Sequence, residues 1–166
     1  GFNVVTTKSE YQCRAVLLTI GRRGTPRQLG VPGEGLSKVI YRMIDPAEHS
    51  GKNVLVVGGG DSALEAAYAI AEQPGTKVTL SYRSDAFSRA KAANRDKIGK
   101  FAAERRMNVM MSSSIREIRD DTVVIEQNGK DYTVPNDDVI VCAGGILPTG
   151  FLKNIGVEVE TKFGSA

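Results

Sequence analysis

One stretch constrains this chain more than any other. Asn53-Val54-Leu55-Val56-Val57 is an apolar run, Gly58-Gly59-Gly60 follows it, and Asp61-Ser62-Ala63-Leu64-Glu65 opens an alanine-rich segment that Pro74-Gly75 closes. The apolar run, predicted as a strand over residues 52–57, has the composition of a strand buried on both faces of a parallel sheet. The alanine-rich segment predicts a helix over residues 62–72. Between them stands Gly58-x-Gly60-x-x-Ala63. Gly58 can take the tight turn out of the strand, Gly60 lets the backbone approach a pyrophosphate, and Ala63 is small enough for the helix to pack on the strand. The amides of the first helical turn, helped by the helix dipole, suit an anion. A lone glycine pattern is weak evidence. Placed directly after a buried strand and before a helix, it implies the pyrophosphate of a dinucleotide, contacted by Gly58, Gly59, Gly60, Asp61, Ser62 and Ala63.

The rest of the chain supplies the frame. Residues 3–7 and 14–20 are predicted as strands joined by a polar turn. Residues 21–35, rich in Gly, Pro and Arg, form a loop. A short strand is expected within 39–44, and a helical turn over 45–49 with Asp45 as its cap and Pro46 in first position. Strands follow at 78–82 and 109–111, with a helix over 95–106 between them. Residues 114–119, 122–127 and 131–134 read as an antiparallel meander whose second turn is Asn128-Gly129, a strong hairpin dipeptide. Residues 139–142 are a second buried parallel strand, ended by Ala143-Gly144-Gly145. A short helix over 151–155 and an edge strand over 157–159 complete the reading. The fold class is α/β: a Rossmann-like doubly wound parallel sheet with an inserted antiparallel β-meander.

The strand after the first helix decides which nucleotide is expected. In NAD-binding units an acid at its tip holds the ribose 2′-hydroxyl. Here the strand ends Leu80-Ser81-Tyr82-Arg83-Ser84, and Arg89 and Lys91 follow. Arginine's planar fork suits a 2′-phosphate dianion, so NADPH is expected over NADH. Asp85 is the competing acid, and a plain solvated charge cluster is the competing account of Arg89 and Lys91.

Composition excludes other classes. The 166 residues carry a net charge of +3, too mild to argue for nucleic acid. No apolar run approaches the roughly 18–20 residues of a membrane helix, and no signal peptide is visible. A cytoplasmic protein with no membrane partner is expected. The two cysteines, Cys13 and Cys142, lie in separate apolar runs and read as buried reduced thiols. No metal-ligand spacing occurs. His49, the one histidine, reads as a surface residue in a polar turn. A short-chain dehydrogenase needs Tyr-x-x-x-Lys, and none of Tyr11, Tyr41, Tyr68, Tyr82 or Tyr132 has Lys four residues on.

These motifs together resemble the NAD(P)H domain of thioredoxin-reductase-like flavoproteins, within the pyridine nucleotide–disulfide oxidoreductase superfamily. The resemblance rests on Gly58-Gly59-Gly60-Asp61-Ser62-Ala63-Leu64-Glu65 and on the loop Val78-Thr79-Leu80-Ser81-Tyr82-Arg83-Ser84-Asp85-Ala86-Phe87. It extends to Leu17-Leu18-Thr19-Ile20-Gly21, to Leu29-Gly30-Val31-Pro32-Gly33-Glu34, and to the run from Val139 to Pro148. The family usually has His-Arg-Arg where Tyr82-Arg83-Ser84 stands. One of two adjacent arginines is absent, and Arg89 is the candidate to replace it.

The resemblance implies hydride delivery from NADPH to FAD. Glu65 would lie near the nicotinamide, and Ala143, Gly144 and Gly145 would line the same crevice. No acid–base catalytic residue is implied. The family's FAD motif and its final FAD segment are not found. The expected division is therefore 1–35 as FAD-domain strands and connecting loop, 36–149 as the nucleotide domain, and 150–166 as a return to the FAD domain. FAD is then expected in the full-length protein and not in these residues alone, which would be inactive by themselves. A homodimer of the full-length protein is compatible with the resemblance. The stretch Leu36–Met43 lacks the Cys-x-x-Cys of thioredoxin reductases, which places the chain nearer the dithiol-free relatives, such as ferredoxin–NADP reductases of this type and bacillithiol-disulfide-reductase-like proteins. The competing reading is a non-catalytic NAD(P)-binding sensor module.

Overall fold

The computed structural model describes residues 1–20 and 25–160. Contacts divide the chain into two units: Gly1–Thr25 with Ile146–Ala166, and Pro26–Gly145.

In the first unit, β1 (Phe2–Val5) pairs antiparallel with β2 (Glu10–Cys13), with Phe2 opposite Cys13 and Val5 opposite Glu10. The turn is closed by Thr6, whose N–H donates to Ser9 O at 2.9 Å and whose Oγ1 accepts from the Lys8 and Ser9 amides. The second strand thus comes earlier than the apolar pattern predicts. Residues 14–20 form no ladder, and Val16, Leu17, Leu18 and Ile20 are exposed. Apolar character alone makes no strand where no neighbour pairs with the backbone. The expected edge strand over 157–159 is absent for the same reason. A six-residue helix, Thr149–Asn154, stands where 151–155 is predicted. The expectations for residues 21–24 and 161–166 fall outside the described residues.

The second unit holds the parallel sheet. Its strands are β4 (Val39–Ile40), β5 (Asn53–Val57), β6 (Lys77–Ser81), β7 (Met107–Met110) and β11 (Asp138–Val141), ordered β4-β11-β5-β6-β7. Two-residue strands β3 (Thr25–Pro26) and β12 (Gly145–Ile146) lie where the chain passes from one unit to the other. Helix α1 (Asp61–Ala71) connects β5 to β6, and α2 (Ala92–Ala103) connects β6 to β7. The antiparallel meander is β8 (Ser113–Ile118), β9 (Thr122–Gln127) and β10 (Lys130–Pro135). Its second turn puts both Asn128 (φ 53°) and Gly129 (φ 76°) in the left-handed region, as a tight primed turn requires.

The alternation of side chains along β5 shows how the sheet is covered. Val54 and Val56 pack in one cluster with Leu64, Ala67 and Ile70 of α1 and Ile98 and Phe101 of α2. Leu55 packs on the opposite face with Ile115, Val123 and Ile125 of the meander. Both crossover helices therefore cover one face and the meander covers the other. Each fully buried Leu, Ile or Val contributes roughly 1.5–3 kcal/mol relative to exposure, so a strand sandwiched this way is fixed in register.

His49 differs from its expectation. It is 4% exposed, and its Nδ1–H donates to Asp138 Oδ2 at 2.7 Å, while Lys52 Nζ reaches the same oxygen at 2.9 Å. The polar turn around His49 resembles a surface segment, but its partner lies 89 residues away on β11, where local reading does not reach. Cys13 and Cys142 are both free thiols, half-buried rather than fully buried.

Candidate dinucleotide site

The sheet order reverses between β5 and β11. From β5 the chain runs outward through β6 and β7, and it returns on the other side of β5 as β11. In open α/β sheets ligands bind at such a reversal, outside the carboxyl ends of the strands. Two glycine turns stand there, Gly58–Gly60 after β5 and Gly144–Gly145 after β11.

Gly58 is fixed by crowding. Its φ is 144°, and a Cβ there would lie 2.5 Å from Cys142 O and 3.1 Å from the Ala63 Cβ. Its N–H donates to Ser81 O at 3.0 Å, tying the turn to the tip of β6. Only glycine fits between the end of β11 and the first turn of α1, and only a residue as small as Ala63 fits opposite it. Gly59 is required by a different neighbour: a Cβ there would collide with the Tyr82 ring. Tyr82 in turn stacks on Phe87, ring centroids 5.4 Å apart and planes 16° apart. Gly60 is the open position. It caps α1 in an extended conformation (φ −94°, ψ 173°), and nothing stands within 4 Å of where its Cβ would be. Among the described residues no hydrogen bond engages the N–H of Gly59 or Gly60. Asp61 and Ser62 open α1, and their amides have no acceptor among the described residues, whereas the Ala63 N–H donates to Gly60 O at 2.9 Å. Space and unpartnered donors therefore coincide at Gly60–Ser62, as a pyrophosphate requires.

The acidic side chains of α1 are already engaged. Asp61 Oδ1 accepts from the Lys91 N–H at 2.8 Å and from Asn94 Nδ2 at 2.7 Å. These bonds, the Lys91 amide first, hold its carboxyl below the usual carboxylate value. One turn on, Glu65 Oε1 accepts from the same Asn94 Nδ2 at 3.0 Å. Lys91, the residue that caps α2, makes no side-chain cap bond, and Asp61 supplies an acceptor there from the neighbouring helix. Sequence reading missed Asn94, and nothing near it in sequence marks a residue clamped by two acids 29 and 33 positions away.

The cations are free. Arg83, Arg89 and Lys91 are exposed, and none forms an ion pair among the described residues; Asp85, on the same loop, pairs with none of them. Across the crevice, Ala143 is half-buried and Gly144 takes φ 85°, its carbonyl accepting from the Arg27 N–H at 3.0 Å. The Cys142 thiol, pushed up by burial, lies 3.9 Å from Ser62 O. It is a packing residue at the rim.

The profile of the family described as "Pyridine nucleotide-disulphide oxidoreductase" matches residues 1–164. The chain belongs to that family. Among curated members, the ferredoxin–NADP reductase of Ignicoccus hospitalis is 31% identical, with 93% of this chain aligned to 51% of its length. The bacilliredoxin reductase of Bacillus subtilis is 27% identical over 98% of this chain and 51% of its own. Among solved structures, the bacillithiol disulfide reductase of Staphylococcus aureus superposes with a TM-score of 0.86 at 27% identity, covering 96% of this chain and 50% of that one. The thioredoxin reductase of T. acidophilum gives 0.79 at 28% identity, covering 96% and 54%. The chain thus spans about half the length of the relatives it matches. Its five-stranded parallel sheet and separate antiparallel sheets are the Rossmann-like fold of thioredoxin-reductase-like oxidoreductases.

Proposed function

We propose that the second unit binds NADPH and aims its nicotinamide at a flavin carried by another domain of a longer oxidoreductase. The observation that carries this reading is the pairing, at one strand-order reversal, of open amides at Gly60–Ser62 with three cations that have no ion pair among the described residues. Gly58 and Gly59 shape the turn; Gly60, Asp61 and Ser62 hold the pyrophosphate along their backbone, and Ala63, whose N–H donates to Gly60 O at 2.9 Å, packs beneath it. Arg83 takes the ribose 2′-phosphate, with Arg89 and Lys91 adding charge and Tyr82 and Ser84 framing the loop. Glu65 orients the nicotinamide carboxamide through Oε2, since Asn94 engages Oε1. Ala143, Gly144 and Gly145 form the opposite wall.

The bound nucleotide supplies a hydride, and FAD in the remaining domain is its acceptor. This chain's own work is to bind and orient, so no residue of it acts as an acid or base. Residues 1–35 and 150–166 belong in this reading to the FAD domain, and 36–149 to the nucleotide domain. The contact division supports such an arrangement, while assigning 26–35 to the nucleotide unit and 146–149 to the other. The lack of Cys-x-x-Cys between Leu36 and Met43 favours a final acceptor reached directly from the flavin, as ferredoxin or a low-molecular-weight disulfide would be.

A thermal-shift titration tests the reading, because only a ligand of the native state raises the melting temperature. NADPH is expected to raise it more than NADH at equal concentration, and the preparation to be colourless. Equal shifts would overturn the 2′-phosphate assignment; no shift with either would overturn dinucleotide binding. A flavin spectrum would overturn the placement of FAD outside this chain.

A further inference from the structure

The loop that carries Arg83 is held by a frame that the glycine motif does not include. Both neighbours of Arg83 are pinned through their backbones to the passage from β7 to β8, residues 110–113. The Tyr82 N–H donates to Met110 O at 2.9 Å, the Ser113 N–H to Tyr82 O at 3.0 Å, and the Ser112 N–H to Ser84 O at 3.0 Å. Below these bonds lies a buried hydroxyl pair. Ser81 and Ser113 are 1% and 3% exposed, with their Oγ atoms 2.8 Å apart. Ser113 Oγ–H donates to Met110 O at 2.7 Å. A hydroxyl has one hydrogen, so the hydrogen between the two serines comes from Ser81. Ser112 takes φ 49°, a left-handed conformation unusual outside glycine, and this conformation lets its N–H reach Ser84. The segment is anchored from the far side as well: Gln127 Nε2 of β9 donates to Met111 O at 2.6 Å.

The result is a chain of bonds from the meander to the residues on each side of Arg83, whose own side chain is exposed and forms no ion pair among the described residues. A guanidinium discriminates a phosphate from a hydroxyl only if its fork is held in place.

We propose that Ser112 and Ser113 are positioning residues for nucleotide choice, fixing the Arg83 loop in the conformation that receives a 2′-phosphate. This rests on the reading of the site as an NADPH site. The open amides at Gly60–Ser62 lie outside the frame, which meets the glycine turn only through Ser81 O and the Tyr82 ring, so the frame acts mainly on the difference between NADPH and NADH.

The test is calorimetric titration of the 166-residue chain with NADPH and with NADH, for the wild type and three variants. Ser113→Ala removes the hydroxyl that accepts from Ser81 and ties down Met110. It is expected to weaken NADPH about tenfold while NADH changes less than about twofold. Ser112 is exposed, so its variants fold even if Ser113→Ala does not. Ser112→Gly keeps the N–H and favours the left-handed backbone, and the wild-type preference is expected to persist. Ser112→Val disfavours that backbone, and the preference is expected to fall. Equal loss of both nucleotides in Ser113→Ala and Ser112→Val, or an unchanged preference in both, would reduce the frame to a structural role and overturn the proposal. A wild type without preference would overturn the 2′-phosphate reading itself and this inference with it, and that outcome is distinct because it appears before any substitution.

Discussion

The two ends of the parallel sheet are both polar, and they are polar in opposite ways. At the amino end of β5 and β11 nearly every polar group has a partner within the chain. His49 and Lys52 share Asp138. Asp137 accepts from the Asn53 N–H and Nδ2 at 2.7 and 2.9 Å. Lys38 Nζ reaches the carbonyls of Asp120 and Asn136, both at 3.0 Å. Only His49 Nε2 and Asn136 Oδ1 are buried without one among the described residues. At the carboxyl end, the amides of Gly59 and Gly60 have no hydrogen-bond partner, and Arg83, Arg89 and Lys91 form no ion pair, among the described residues. Polarity satisfied inside the chain holds the fold together, whereas unsatisfied polarity gathered at one place is set up for a ligand. The contrast is sharper because a groove of about 860 Å³ lies at the amino end, lined by residues including Asn53, Thr76, Lys77, Asn108 and Asn136. Volume points to one end, and unmet donors and charge point to the other.

Substitutions at the two ends should therefore behave differently. The largest effect is expected at Gly58, where fold and site coincide. Gly58→Ala adds a strained backbone and a collision with Cys142 O, and should cost about 3 kcal/mol of stability by denaturant unfolding and abolish nucleotide binding. Next comes the amino end. Asp138→Ala leaves the buried His49 N–H and Lys52 without their acceptor and should cost about 2 kcal/mol, with NADPH affinity unchanged. A large affinity loss there would break the contrast. Arg83→Ala should do the reverse, weakening NADPH about tenfold with stability changed by less than about 0.5 kcal/mol. Gly59→Ala should weaken binding by displacing Tyr82, and adding Tyr82→Ala should restore part of it; no recovery would mean the collision is not the cause. The smallest effect concerns pH. Asp61 sits below its ordinary value of 3.8 in the folded state, so its stabilisation is full above that value and is lost as pH falls through the depressed one. Asp61→Asn should flatten that part of the acid limb of the stability curve.

What the sequence revealed divides along the same line. Features whose cause is local were legible: the buried strand Asn53–Val57, the glycine turn, the Ala63 contact, and the hairpin dipeptide Asn128-Gly129, each set by residues within a few positions. The sequence predicts α2 over 95–106, whereas the helix runs three residues earlier at each end, Ala92–Ala103. Its first turn is capped by Asp61 from another helix, and no local signal reports that. His49 failed for the same reason, since only the fold brings Asp138 beneath it. The apolar run at 14–20 differs for another reason: hydrophobicity predicts a strand there, and no neighbour among the described residues pairs with it. At the candidate site, the glycine turn and the cations that the fold brings to one strand-order reversal are legible in the sequence, but Asn94, Ser112 and Ser113, which hold the neighbouring residues, are not. Supporting residues act through contacts distant in sequence, and their types are unremarkable.

The proposed function places the nucleotide at the carboxyl end of the parallel sheet, on the unpaired groups. Amide chemical-shift mapping of the isotopically labelled chain during an NADPH titration tests it most directly. The amides of Gly59, Gly60, Asp61 and Ser62 and of Tyr82–Ser84 are expected to shift, with those of Lys52, Asn53 and Asp138 unmoved. Shifts confined to the groove around Asn53, Lys77 and Asn108, or none at all, would contradict it.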